Sequence, residues 1–135
     1  MIKDPGRFQP PAARQFVWYW LPVILYALLI LFISSLPVRI RHVPFHHYDK
    51  VFHFIEYGIY AGLWYRAIRR TTHLSTPARA GIATFLICAS FGALDELYQV
   101  YTPYRVSDIY DVAADASGSL TAVFLPVLKN FLARP

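Results

Sequence analysis

The sequence predicts an all-α integral membrane protein, a polytopic bundle of four transmembrane helices with both termini cytoplasmic. Three observations predict it. The 135-residue chain is 56% hydrophobic and only 16% charged, whereas soluble domains carry about 25% charged residues. The stretch Val17–Leu36 holds no charged side chain. Further apolar stretches follow, separated by proline-bearing connections and free of the alternation that marks strands. A soluble fold of this size could not cover so much apolar surface.

Residues 1–16 are polar and contain Pro5, Pro10 and Pro11. They are expected to form a flexible cytoplasmic tail, followed by a transmembrane domain over residues 17–132. Val17–Leu36 spans roughly 30 Å as a helix, the thickness of the hydrocarbon core. Trp18, Tyr19 and Trp20 at its start suit an interfacial aromatic belt. Its apolar run is too long for a secretory signal and lacks a small-residue cleavage site, so it is read as retained. A second helix is expected over Lys50–Ile68, a third over Ala80–Leu94 with helical pattern continuing to Tyr101, and a fourth over Asp108–Leu132. These three carry polar ends and become spans only if those ends are sheltered. Pro37, Pro44, Pro77 and Pro103 mark the connections.

Of the 13 Lys and Arg residues, nine fall on the side of the termini (Lys3, Arg7, Arg14, Arg66, Arg69, Arg70, Arg79, Lys129 and Arg134). Arg39, Arg41, Lys50 and Arg105 fall on the other. The excess places the termini inside. The net charge of +5 reads as this orientation signal. Without a phosphate loop, zinc-finger spacing or RNA-binding motif, nucleic acid is not an expected partner; the bilayer is.

Seven of the eight acids, all but Asp4, fall at the ends of helices that this topology brings to the outer face. Asp49 and Glu56 flank the start of the second helix. Asp95 and Glu96 end the third, and Asp108, Asp111 and Asp115 open the fourth. Lys50, His53, Tyr57 and Tyr60 form one stripe; Gly92, Asp95 or Glu96, and Gln99 form another; Asp108, Asp111, Asp115 and Gly118 a third. An ionisable group facing lipid costs about 2.5–3.5 kcal/mol, so the stripes should face one another or an aqueous cleft. Gly92, Gly118 and Ser119 permit close helix approach there. Simple pairing offers a structural account: Asp49 with Lys50 or Arg105, His53 with Glu56, Asp108 or Asp111 with Arg105. Seven carboxylates outnumber those cations, and the surplus must be offset by bound protons, a cation or a cationic ligand.

These residues resemble the VanZ-like family of bacterial membrane proteins. The resemblance rests on Ser34-Ser35, Asp49-Lys50-x-x-His53-x-x-Glu56-Tyr57-Gly58, Asp95-Glu96-x-x-Gln99, Pro103-x-Arg105, Asp108-x-x-Asp111 and Asp115-x-x-Gly118. It runs from about Leu28 to Ala122. Asp115 stands where that family usually has Asn, and Tyr104 where it commonly has Gly. The resemblance implies a multi-pass protein of the bacterial cytoplasmic membrane. It further implies a non-catalytic cell-envelope factor linked to susceptibility to glycopeptides of the teicoplanin type.

The alternative is an enzyme or binder acting on an outer-leaflet lipid-linked phosphate. Lys50, His53 and Arg105 would then contact phosphate. His53 or Glu56 would serve as acid or base with Asp95 or Glu96 as partner. A divalent cation, for which Asp95, Glu96, Asp111 and Asp115 are the candidate ligands, would bridge carboxylates and phosphate. The expected ligand-binding set is Asp49, Lys50, His53, Tyr57, Asp95, Glu96, Gln99, Arg105, Asp108, Asp111 and Asp115. A transporter is disfavoured, because polarity is confined to one end of the helices.

Other features read as scaffold. His42, His46 and His47 suit a solvated loop, and Tyr98, Tyr101, Tyr104 and Tyr110 the outer interface. Arg66, Arg69 and Arg70 suit a basic patch on anionic headgroups. Cys88 fills the core, and Ser34 and Ser35 terminate the first helix.

Overall fold

Four long helices account for most of the computed structural model, which describes residues 11–37, 48–74, 76–103 and 105–132. They are α1 (Ala12–Ser35), α2 (Tyr48–Thr71), α3 (Pro77–Gln99) and α4 (Ile109–Leu132), with no strand among the described residues. The expected flexibility of residues 1–10 and the histidines at 42, 46 and 47 lie outside the described residues, as do Arg39, Arg41, Pro44, Tyr104 and Arg134. Helix α1 begins at Ala12. Pro77 is the first residue of α3, not part of the connection before it. A proline there sacrifices only an amide that the first turn leaves unpaired, and Thr76 Oγ1 caps that end by accepting from the Arg79 amide at 3.3 Å.

Helices α1, α3 and α4 are long and apolar enough to cross a membrane. Helix α2 has 24 residues, about 36 Å at 1.5 Å per residue, but its charged ends lower its hydropathy. Polarity runs opposite to that of a soluble protein. Leu25, Ile55, Leu86 and Leu125 are each more than half exposed, while Asp95, Glu96, Asp111 and Asp115 are buried. Only a lipid solvent makes that distribution favourable.

Helix α1 contains a π-helical turn over Phe16–Trp20. Pro22 has no amide proton to give the Trp18 carbonyl one turn earlier. The donor comes from another helix: Arg66 Nη2 donates to Trp18 O at 2.8 Å and its guanidinium lies 5.6 Å from the Tyr19 ring centroid. Arg66 is thus a tie between α1 and α2, where the sequence suggested a headgroup contact. Above it, Trp20 meets Trp64 edge-on at 5.5 Å and Tyr26 stacks on Tyr60 at 6.1 Å.

The tightest crossing joins α2 to α4. A Cβ added to Gly118 would collide with the backbone carbonyl of Phe54, and one added to Gly58 would touch Gly118 O at 3.6 Å. Backbone cannot yield as a flexible side chain can, so only glycine fits at 118. Gly118→Ala should therefore lower stability in detergent by about 1–3 kcal/mol, the usual cost of overpacking. Gly62→Ala, with nothing within 4 Å, should be neutral or stabilising in the same thermal melts.

Candidate functional site

Antiparallel packing gathers the C-terminal ends of α1 and α3 with the N-terminal ends of α2 and α4. Helix N-termini favour carboxylates, and Asp49 and Asp111 lie in the first turns of α2 and α4. Asp108 caps α4, its Oδ1 accepting from the Tyr110 amide at 2.9 Å. Its own amide donates to Glu96 Oε2 at 2.9 Å, which fastens the end of α3 to the start of α4.

Lys50 is the hub. Its ammonium lies 2.8 Å from Asp49 Oδ2, 2.7 Å from Asp108 Oδ2 and 2.7 Å from Asp111 Oδ1. Three donors on one nitrogen meet three carboxylates. One turn on, His53 Nδ1 lies 2.9 Å from Asp115 Oδ1 and Nε2 lies 4.0 Å from Asp111 Oδ2. Of the pairings expected from sequence, Asp49 with Lys50 forms. His53 pairs with Asp115 and not Glu56, because α4 supplies a carboxylate directly opposite the imidazole at 2.9 Å. Asp108 and Asp111 go to Lys50 and not Arg105.

Arg105 serves a different end: Nη2 donates to Ile33 O at 2.6 Å and Nε to Leu36 O at 3.2 Å. It caps the C-terminus of α1, where carbonyls lack intrahelical donors. Ser34, read from sequence as a terminator, donates instead to Asp95 Oδ2 at 2.7 Å in the buried interior, whereas Ser35 does close its own helix through Phe32 O. Gln99 donates to Glu96 Oε1 at 3.1 Å and to Asp95 Oδ2 at 3.4 Å. No spacing rule reveals the Ser34–Asp95 contact, since the partners are 61 residues apart.

Beneath this network, Tyr57, Asp95 and Asp115 are 0%, 3% and 1% exposed. Tyr57 Oη, Asp95 Oδ1 and Asp115 Oδ2 have no hydrogen-bond partner among the described residues. Gly92 makes the room: a Cβ there would lie 2.7 Å from Asp115 Oδ2 and 3.1 Å from Tyr57 Cε1. Orphaned buried oxygens of this kind each call for a water, proton or ion.

The chain belongs to the VanZ/LLP1 family. That family matches residues 12–130, which include every site residue just described. An uncharacterised protein of the fission yeast Schizosaccharomyces pombe is 31% identical over 104 residues, covering 73% of this chain and 54% of the relative. The chain therefore spans about half the length of that relative. No solved structure matches the chain.

Within this VanZ/LLP1 chain the best-formed set of candidate metal ligands differs from the sequence expectation. One ligand atom each from His53, Glu96 and Asp111 lie within 4.8 Å of one another. Asp115 stands behind His53 as its hydrogen-bond partner, and Asp95 turns to Ser34 and Gln99. A carboxylate on one imidazole nitrogen fixes the tautomer and leaves the other nitrogen to bind, the usual outer-shell arrangement of a metal-binding histidine.

Two outcomes follow. The Lys50 ammonium holds the Asp108 carboxyl below its ordinary value. The pair should therefore stabilise the rim above the ordinary carboxylate range and be lost only as pH falls through the depressed value, which NMR titration of Asp108 would register as a midpoint below 3.8. Ser34→Ala strips Asp95 of its short donor and should cost about 1–3 kcal/mol, read as a lower melting temperature without loss of helix content.

Proposed function

We propose that this protein is a multi-pass membrane protein whose outer rim binds the phosphate of a lipid-linked ligand through a divalent cation. In this reading all four helices cross the bilayer and both termini are cytoplasmic. The Lys and Arg distribution supports the orientation. The burial of α2 charges against α4, not against lipid, supports counting α2 as a span.

One observation carries the reading: His53, Glu96 and Asp111 converge within 4.8 Å beside a surplus of carboxylates. An imidazole and two carboxylates suit Mn²⁺ or Zn²⁺. A divalent ion converts an acidic pocket that would repel phosphate into one that attracts it, and leaves coordination positions for phosphate oxygens. Arg105, with Nε and Nη2 engaged on α1, keeps Nη1 for an anion. Bound at this rim, such a ligand supports the envelope role that the resemblance implies, without requiring turnover.

Hydrolysis is a second reading, favoured by Glu56. Its half-buried side chain lines the same cavity as His53 and Arg105, and no hydrogen bond from a described residue engages it. It is a carboxylate in the cavity free to take a proton from an attacking water; the phosphorus–oxygen bond to the lipid breaks as the new one forms, and Glu56 returns the proton to the departing lipid oxygen, which leaves as the alcohol.

Purified protein should bind Mn²⁺, and Glu96→Gln and Asp111→Asn should each weaken that binding at least tenfold by calorimetry, with Glu56→Gln unchanged. Wild-type protein that binds no Mn²⁺ would sink the proposal. Release of phosphate from a lipid phosphate, abolished in Glu56→Gln, would establish the enzymatic reading; cation-dependent binding without release would establish the non-catalytic factor.

A further inference from the structure

We infer that the cleft between α1 and α2 receives the hydrocarbon chain of the ligand and admits it sideways from the bilayer. The inference rests on the phosphate-binding reading above and adds the path of the tail. A cavity of about 480 Å³ lies between these two helices. Leu29 and Ile33 line it from α1, and Phe52 and Ile55 from α2. Each is between 40% and 53% exposed, so the walls meet lipid. Asp49, His53, Glu56 and Arg105 line the same cavity. Its apolar and ionisable side chains together match one molecule that is apolar over most of its length and charged at one end: a lipid phosphate.

The geometry points to a single chain. Each wall is one helix, and each contributes two apolar side chains, Leu29 and Ile33 from α1 and Phe52 and Ile55 from α2, enough to flank one hydrocarbon chain. A cavity of about 530 Å³ is lined by Asp49, Lys50 and Asp108 together with Tyr110, Ala113 and Ser117, and its charged groups are those of the Lys50 network. An apolar cavity of about 230 Å³ between α3 and α4 is lined by residues such as Gly81, Phe85 and Leu120, with no titratable side chain in its lining. A tail there would have no charged end to lead to.

The fastenings of α1 fit this use. Arg105 grips its last carbonyls and Ser34 its final buried turn, while Arg66 holds the opposite end at Trp18. The trough lies just below the Arg105 clamp, so a chain seated there brings its phosphate beside the guanidinium and His53.

The test compares hexadecyl phosphate with butyl phosphate, both in the presence of Mn²⁺, on full-length protein in nanodiscs. Leu29→Trp and Ile55→Trp fill the trough at lipid-exposed positions where folding tolerates bulk; Leu120→Trp fills the α3–α4 cavity as control. Each trough variant should weaken hexadecyl phosphate at least tenfold and leave butyl phosphate unchanged, and the control should change neither. A diazirine placed mid-chain should label α1 and α2. Trough variants that hold hexadecyl phosphate as wild type does, or label on α3 and α4, would overturn the tail path while the phosphate site stood. Wild-type protein that binds neither phosphate would overturn the phosphate reading and the tail path together.

Discussion

The ammonium of Lys50, shared among Asp49, Asp108 and Asp111 at 2.7–2.8 Å, is the interaction on which the rim depends. Of the three carboxylates Asp111 is buried, and a buried charge left without a partner is far costlier than one in solution. The lysine closes the angle between the start of α2 and the start of α4, and Asp108 passes the connection on to α3 through Glu96. Three helices are held by one cation and the carboxylates around it, and those same carboxylates then face inward.

Close backbone approach makes that arrangement possible. With Gly118 against Phe54 and Gly58 beside it, α4 comes near enough to α2 for Asp115 to reach His53. Gly92 on α3 then leaves space for the second oxygen of Asp115. Small residues in membrane helices are usually credited with packing alone. Here they set the distance at which a carboxylate and an imidazole meet, so packing decides chemistry. The orphaned oxygens below His53 follow from the same geometry: the helices are too close to admit another side chain, yet leave polar atoms unsatisfied.

Helix α1 stands apart in how it is attached. It contributes no charge to the rim, is exposed along much of its length, and is held at its ends by Arg66, Arg105 and Ser34. Each of these contacts satisfies a backbone or carboxylate group that lipid would leave unpaired. The helix is thereby fixed in position without filling the gap beside α2.

Much of this was legible in the chain itself. Apolar stretches and the prolines between them marked the approximate limits of four helices, three of which are long and apolar enough to cross a membrane. The restriction of acids to alternate helix ends foretold one polar rim, because lipid penalises any scattered arrangement. Register contacts across helices were not legible. That His53 meets Asp115 and not Glu56, that Arg105 caps α1, and that Ser34 holds Asp95 all depend on the rotation of each helix about its axis. Rotation is set by glycine contacts between backbones distant in sequence, and periodicity within one helix carries no information about its angle to another.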